Sequence, residues 1–153
     1  MKQEKQEENK QQILYDRYPE IFRQKDLPMT ETCMCWGIDC GDGWFDLLNE
    51  LCQRLDFVRK KSGIITEASQ VKEKYGTLRF YYTTQEGNVK LSDEEFGHWQ
   101  AIIDALIEEA ENKSGHTCEI CGEFGSICQR NNWLKTVCAK CAEKDGYKTI
   151  SRL

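Results

Sequence analysis

Four cysteines in the last third of the chain have the residue type and the spacing of a metal site. Cys118 and Cys121 form one Cys-x-x-Cys pair, and Cys138 and Cys141 form a second pair after sixteen intervening residues. This spacing is typical of a zinc ion held by four thiolates at the corners of a tetrahedron. Four cysteines leave no coordination position open for water or substrate, so the sequence predicts a structural zinc and not a catalytic one.

Two neighbouring residues offer an alternative fourth ligand. His116 and Cys128 lie close enough in sequence to replace Cys141, and either exchange would still give a closed site. Zinc binding by such a module contributes roughly 10–16 kcal/mol at neutral pH, which is enough to decide whether the segment folds.

The remaining cysteines give a weaker signal. Cys33, Cys35 and Cys40 lack a second clean pair, so small buried thiols around a loop are the simpler interpretation and a second metal is the alternative. Cys52 lies on the apolar side of a predicted helix, where packing explains it.

The residues around the four cysteines predict a small module over residues 116–153. Gly122 permits a tight exit from the first Cys-x-x-Cys turn, and residues 133–137 read as a strand that leads into the second pair. A short helix after Cys138 would place this pair at its N-terminus, where thiolates are stabilised. This order of elements is treble-clef-like.

A strand pair precedes the module. Residues 70–75 and 78–83 alternate in polarity and are joined by Gly76-Thr77, which fits a two-residue type II′ turn. This turn predicts that Lys74 lies opposite Arg79 and that Lys72 lies opposite Tyr81. Apolar residues then line one face of the hairpin, and Lys72, Lys74, Arg79 and Tyr81 share the other face.

The cationic face of this hairpin is the candidate ligand site. Like charges placed across two strands cost stability unless an anion neutralises them. One interpretation is that the positive charge is solvated by water or neutralised by the acidic segment 92–113, which has seven carboxylates and one lysine. The other is a phosphate-bearing ligand held by Lys72, Lys74 and Arg79, with Tyr81 stacking on it.

Two amphipathic helices are predicted to pack on the hairpin. The first begins near Asp42, carries Trp44 into the core and ends at Gly63. The turn Cys40-Gly-Asp-Gly-Trp44 before it is read as a cap made by Asp42, with an anion held on its amides as the alternative.

The second helix begins at Ser92, which forms a capping box with Glu95, and runs to Gly115. The sequence therefore predicts an α+β core over residues 29–115, in which both helices pack on a small antiparallel hairpin sheet. It also predicts an N-terminal arm or short helix over residues 1–28.

Composition narrows the functional classes. The chain has 153 residues, 21 Lys and Arg against 26 Asp and Glu, and a net charge of −5, which argues against bulk coating of nucleic acid. It shows neither a membrane-length apolar run nor a signal-peptide core, so we expect a cytoplasmic protein without a membrane partner. The familiar catalytic motifs are missing, and His98 and His116 are the only imidazoles, so the sequence leans away from an enzyme.

Three segments together resemble a group of small uncharacterised proteins of bacteriophages and prophages. They are the Cys40–Trp44 turn, the hairpin Gln70-Val-Lys-Glu-Lys-Tyr-Gly-Thr-Leu-Arg-Phe-Tyr-Tyr82 and the terminal Cys-x-x-Cys pair, and the resemblance spans residues 36–147. The resemblance implies no known activity and no catalytic residue. It does imply that the protein is a phage accessory protein that acts in a bacterial host. Phage accessory proteins often inhibit bacterial immunity by binding a defence protein or by sequestering its nucleotide signal, and by analogy we expect such a role here.

These observations lead to one main functional prediction and two alternatives. The main one is a non-enzymatic binding protein that sequesters a nucleotide-type signal on the hairpin face. The first alternative is a nucleic-acid-binding regulator that contacts phosphate through Arg130, Lys135 and Lys140. The second is an inhibitor that binds a host defence protein through the acidic face of segment 92–113. Open sheet edges could also pair with those of a second copy of the chain, which would give a homo-oligomer.

Overall fold

A three-stranded sheet packed by helices forms the larger part of this computed structural model, which describes residues 9–150. The predicted α+β class is confirmed, with a smaller sheet and a helix following the main layer. The elements of the main layer are α1 (Lys10–Arg17), β1 (Ile38–Asp39), α2 (Phe45–Ser62), β2 (Ile65–Lys74), β3 (Thr77–Gln85) and α3 (Asp93–Ser114).

The core lies between α2, α3 and one face of the sheet. Apolar residues at helical spacing on α2 and α3 and at alternate positions on the strands point into it, as the two periodicities require. Trp44 is fully buried and donates its indole N–H to the carbonyl of Thr117 at 2.8 Å. Other members of the core are Leu48, Leu51, Leu55, Val71, Leu78, Phe80, Ile103 and Ile107.

Helix α2 begins three residues later than its sequence indicates. A 3₁₀ turn over Asp42–Trp44 precedes it, the N-cap residue is Trp44, and no side chain caps the helix. The prediction that Asp42 caps it is therefore wrong. Its C-terminus ends as expected at Gly63, whose φ of +79° is left-handed and whose N–H donates to the carbonyl of Arg59.

Helix α3 has the predicted capping box and also covers one edge of the sheet. The Ser92 hydroxyl accepts the amide of Glu95 at 3.1 Å. Near the other end of the helix, the Ser114 hydroxyl accepts a hydrogen bond from the Leu78 amide, and the Glu111 carboxylate accepts one from the Phe80 amide. These bonds occupy two edge amides of β3, which would otherwise be open to another strand.

The hairpin differs from its predicted register. The two loop residues are Tyr75 and Gly76, both with positive φ as in a type I′ turn, so that Lys74 lies opposite Thr77 and Lys72 lies opposite Arg79. The predicted pairs of Lys74 with Arg79 and of Lys72 with Tyr81 are wrong. The shift amounts to two residues, and since side chains alternate with period two, the residues within the strands keep their predicted faces. Tyr75, expected on the apolar face, lies instead in the loop and is exposed.

Strand β1 was not foreseen in the sequence. It pairs in parallel with β2, setting Ile38 beside Val71 and Asp39 beside Lys72, and it makes β2 the central strand. The pairing stops at Asp39, so among the described residues β2 has a strand on only one side from Glu73 to its end.

The N-terminal segment packs into the main core. Leu14, Tyr15, Tyr18, Ile21 and Phe22 are all buried in the same cluster as α2 and β2. Residues 1–8 of the arm proposed for residues 1–28 lie outside the described part of the chain. The division at residue 28 stays a prediction, but the described side chains of this segment complete the core.

A buried carboxylate ties this segment to the sheet. Glu67 on β2 is only 2% exposed and accepts two hydrogen bonds from the Arg23 guanidinium, at 2.7 and 3.0 Å, and one from Gln24 at 2.8 Å. Together these donors satisfy a charge that burial alone would make costly.

The C-terminal module consists of a hairpin, a short helix and a final strand. Its elements are β4 (Ser126–Arg130), β5 (Trp133–Val137), α4 (Ala139–Asp145) and β6 (Lys148–Thr149), with strand order β5-β4-β6. Strand β5 has the bounds predicted from the sequence, and the treble-clef-like order is confirmed. Among residues 9–150, no helix has both the length and the apolar character needed to cross a membrane.

Candidate functional site

The four predicted cysteines come together in one cluster. The sulfur atoms of Cys118, Cys121, Cys138 and Cys141 all lie within 4.8 Å of one another. The sulfurs of Cys121 and Cys138 are 3.6 Å apart. A tetrahedral site with metal–sulfur bonds of about 2.3 Å places its sulfurs about 3.8 Å apart, whereas a disulfide bond is about 2.05 Å long. The cluster therefore has the dimensions of a metal site and not of a disulfide.

Local backbone geometry presents each pair. In the first turn, the amide of Gly122 donates to the carbonyl of Cys118 at 2.9 Å, and Gly122 has the positive φ of +83° that glycine adopts readily. In the second, Cys138 is the N-cap of α4, and its sulfur accepts the amide of Cys141 at 3.5 Å. Each Cys-x-x-Cys turn thus aims two sulfurs at one point.

The thiols differ in pKa, and a bound cation would reduce this difference by stabilising every thiolate. The amide of Cys141 lowers the pKa of the Cys138 thiol to about 7, while burial and the neighbouring thiols raise the pKa of Cys141 to about 12. A thiolate on one sulfur opposes ionisation of the next. Four thiolates at this separation therefore require a bound cation, which is the chemistry of a metal ligand set.

The other cysteines are not part of this cluster. The prediction that Cys33, Cys35 and Cys40 are buried thiols is wrong, because Cys33 is exposed and the other two are only half-buried on their loop. Within residues 9–150, no further group of three or more His, Cys, Asp or Glu ligands converges. Cys128, considered as a substitute ligand, donates to the carbonyl of Ser126, and Cys35 donates to the carbonyl of Thr32. Cys52 is fully buried in the core, as predicted, and burial raises its pKa.

The glycine-rich turn before α2 packs against the Cys118–Cys121 turn. The amide of Gly43 donates to the carbonyl of Glu119 at 2.8 Å, and the amide of Gly41 donates to the carboxylate of Glu119 at 2.9 Å. A Cβ atom at residue 41 would overlap the Glu119 carbonyl oxygen, and one at residue 43 would overlap that of Cys118. Both glycines therefore permit a backbone contact that no larger residue allows. The alternative of a bound anion on these amides is not needed, because the protein's own carboxylate occupies the amide of Gly41 and a backbone carbonyl occupies that of Gly43.

Glu119 is the centre of this contact and is 4% exposed. Burial raises the pKa of its carboxyl group, and the amide of Gly41 and the charge of Lys135 partly offset that rise. Its Oε1 atom has no hydrogen-bond partner within the described residues. This role of Glu119 was not predictable from residue spacing, because Gly41 and Glu119 are 78 positions apart.

The tip of the β2–β3 hairpin also docks on the module. The buried hydroxyl of Thr136 on β5 donates to the carbonyl of Gly76 at 2.7 Å, and Gly76 forms an isolated parallel bridge with Lys135. This contact sets the position of the hairpin tip against β5. The cysteine cluster and the hairpin therefore belong to one connected structure.

The candidate ligand residues share the face of the hairpin that points away from the core. Lys72 and Arg79 lie directly opposite each other and are half-buried, Lys74 is exposed nearer the tip, and Tyr81 is 43% exposed and opposite Gln70. The structure thus brings the three cations together, with Tyr81 on the side of the Lys72–Arg79 pair that is farther from the tip.

The acidic segment does not neutralise this face by direct contact. Glu109 of α3 pairs with Arg54, and Lys113 pairs with Glu50. None of the ion pairs within residues 9–150 includes Lys72, Lys74 or Arg79 at 4.0 Å or less. Asp39 is the carboxylate next to Lys72 in the sheet register.

A groove beside these cations was missed at the level of sequence. It has a volume of about 320 Å³ and lies where the end of β2 faces the start of β5. Two exposed aromatic side chains line it, Tyr75 at 69% exposure and Trp133 at 55%. Two exposed aromatic side chains that line one groove are more informative than single exposed ones. Their proximity depends on a contact between distant segments, which the residue pattern does not indicate.

Comparison with protein-family models, with curated proteins and with solved structures gave no match to this chain.

Proposed function

We propose that this protein is a non-enzymatic binding protein that holds a nucleotide-type ligand on the cationic face of its hairpin. The observation that carries the proposal is the direct cross-strand pairing of Lys72 with Arg79, with Lys74 on the same face. Asp39 lies beside Lys72, the charge of Glu111 acts on Arg79, and Glu73 lines the same groove as the two lysines. Within residues 9–150, however, none of these carboxylates forms an ion pair with the three cations. Like charges in this arrangement destabilise the sheet, so a bound anion supplies the compensation.

Phosphate groups suit this arrangement better than an isolated carboxylate does. The guanidinium of Arg79 offers a planar fork of donors, and the ammonium groups of the two lysines add charge. Tyr81 lies one step along the same face, where an aromatic ring can stack on a heterocyclic base.

The metal in this proposal is a structural zinc ion. Four thiolates in a closed tetrahedral set match the preference of zinc, and they leave no position for a reacting molecule. The ion stabilises the module against which the hairpin tip and the glycine-rich turn are packed. Its role is to hold the binding face in place.

The setting we propose is that of a phage accessory protein acting in a bacterial host. The resemblance of residues 36–147 to phage and prophage proteins supports this setting, and sequestration of a nucleotide immune signal is the role that fits a binding protein. Such a protein acts by lowering the free concentration of the signal, which requires affinity and no covalent chemistry.

The nucleic-acid alternative relies on Arg130, Lys135 and Lys140. The Arg130 guanidinium lies 4.6 Å from the ring centre of Tyr147 and donates to the carbonyl of Asp145 at 2.8 Å. Lys135 lies at the hairpin tip contact. Lys140 is exposed. Because the Arg130 side chain is already engaged within the protein, this surface offers fewer free cations than the hairpin face does, and this favours the hairpin face as the phosphate-binding surface.

Calorimetric titration with ADP tests the proposal. We expect the double variant Lys72→Ala, Arg79→Ala to bind ADP roughly 100-fold or more weakly, because charge-assisted bonds to phosphate contribute about 1.5–3 kcal/mol each. Its free energy of unfolding should stay the same or rise slightly, since a repulsive pair is removed.

A matched variant controls for the loss of two charges. Lys140→Ala, Lys144→Ala removes two exposed lysines of the module and should leave the affinity for ADP within about twofold, as expected for screened charges distant from the site. Equal weakening by both double variants would show non-specific attraction and would overturn the site. The absence of ADP binding by the wild-type protein would overturn the proposed function.

A further inference from the structure

The groove between the hairpin tip and β5 adjoins the cations of the proposed site. It is lined on one side by the end of β2, from Lys72 to Tyr75, and on the other by residues 132–134. Lys72 and Lys74 belong to both the groove and the cationic face. A ligand whose phosphates contact these lysines therefore has the groove within reach.

The walls of the groove carry side chains of the types that bind heterocyclic bases in proteins. Trp133 and Tyr75 present aromatic surface to solvent, and the amide of Asn132 offers both a donor and an acceptor. The volume of about 320 Å³ is at the lower end of the range of small-molecule sites, about 300–1,000 Å³. This size suits a single nucleotide unit.

Two contacts hold the walls at a set separation. The Thr136 hydroxyl donates to the Gly76 carbonyl at 2.7 Å, and Gly76 pairs with Lys135 in a parallel bridge. Gly76 and Lys135 each directly follow the residues that line the two walls. An extra Cβ at Gly76 would come within 3.3 Å of the Lys135 amide nitrogen. The groove is thus formed in advance of binding, which reduces the entropy that a ligand must overcome.

We infer that this groove, and not the ring of Tyr81, is the base-binding part of the ligand site, with Trp133 as the stacking platform and the phosphates of the same nucleotide on Lys72 and Lys74. The inference rests on the proposed function and specifies its ligand as a nucleotide with a free base, in contrast to a phosphate or pyrophosphate alone. It also makes the C-terminal module a direct part of the binding site.

The test compares ADP with inorganic pyrophosphate, which lacks a base, on variants of full-length, metal-loaded protein. We expect Trp133→Leu to weaken ADP binding by about tenfold or more, because loss of base–aromatic stacking has that effect. Pyrophosphate affinity should change by less than about twofold, since the cations remain. ADP should also quench Trp133 fluorescence in the wild-type protein.

Trp36→Leu is the matched control. Trp36 is 73% exposed and is not among the groove residues, so its removal should leave ADP affinity and the ADP-induced quench unchanged. If Trp133→Leu binds ADP as tightly as the wild type does, the groove assignment is wrong while the proposed function stands. If wild-type protein binds pyrophosphate and ADP equally, the base makes no contact and the inference is overturned.

Discussion

The backbone amide of Gly43 donates to the carbonyl of Glu119 at 2.8 Å. This bond joins the turn before α2 to the first metal-binding turn, and the absence of a side chain on Gly43 is what permits it. The two glycines of the Cys40–Trp44 motif therefore serve an internal interface. The metal module is packed on the core through this contact and through the hairpin tip.

Substitution of Gly43 by alanine should disrupt this interface. The added Cβ would overlap the Cys118 carbonyl oxygen and come within 2.6 Å of the Glu119 backbone, so we expect a loss of at least about 2 kcal/mol in the free energy of unfolding. Denaturant unfolding measures this loss. Gly97→Ala is the control, because a Cβ at this helical position meets nothing within 4 Å, and it should stabilise the protein by about 0.5–1 kcal/mol. Equal effects of the two changes would rule out the proposed contact.

Metal content distinguishes Cys141 from Cys128 as the fourth ligand. Elemental analysis should find one zinc ion per chain in the wild-type protein and in Cys128→Ala, whose sulfur interacts with the Ser126 carbonyl. Cys141→Ser should lose the ion and unfold the module, since a structural zinc is part of the folding free energy. Retention of stoichiometric zinc by Cys141→Ser would assign the site to a different ligand set.

Thr136→Val should loosen the hairpin tip without changing side-chain size much. The change removes a buried donor and leaves the Gly76 carbonyl unpaired, at a cost of about 1–3 kcal/mol in the free energy of unfolding. The exposed Thr83→Val on β3 should stay within about 0.5 kcal/mol of wild type. We also expect weaker ADP binding for Thr136→Val, and unchanged stability in thermal unfolding would show that the tip does not depend on this bond.

The Glu67 carboxylate should make stability fall in acid. Burial raises its pKa, but the hydrogen bonds from Arg23 and Gln24 outweigh burial and hold the pKa below its usual value of 4.5. As pH falls, the carboxyl group is therefore protonated in the unfolded chain before it is protonated in the folded protein. Its contribution to stability is complete above the unfolded-state pKa and is lost as pH falls through the folded-state pKa. Between about pH 5 and pH 3, Glu67→Gln should lose less unfolding free energy than wild type does. An equally steep decline in both proteins would contradict this account.

Features that depend on local pattern were predictable from the sequence. The capping box of Ser92 and Glu95, the bounds of β5 and the four metal-binding cysteines each follow from residue type and short-range spacing. The faces of the hairpin were also predicted, because alternation does not change when the register slips by two.

Features that depend on distant contacts were not predictable in this way. The turn at Tyr75-Gly76 requires a positive φ at a tyrosine, which is unfavourable in isolation, and the bonds of Gly76 to Thr136 and Lys135 hold it in the folded protein. The role of Gly41 and the exposure of Trp133 likewise depend on where the metal module packs.

The most direct test of the central claim is native mass spectrometry of the protein purified at low ionic strength from a bacterial lysate with active immune signalling. Comparison of native and denatured masses should reveal a zinc increment and a further small molecule of nucleotide mass. The Lys72→Ala, Arg79→Ala variant should keep the zinc and lose the small molecule. Zinc alone on the wild-type protein, or the same small molecule on both proteins, would contradict a nucleotide held on the hairpin face.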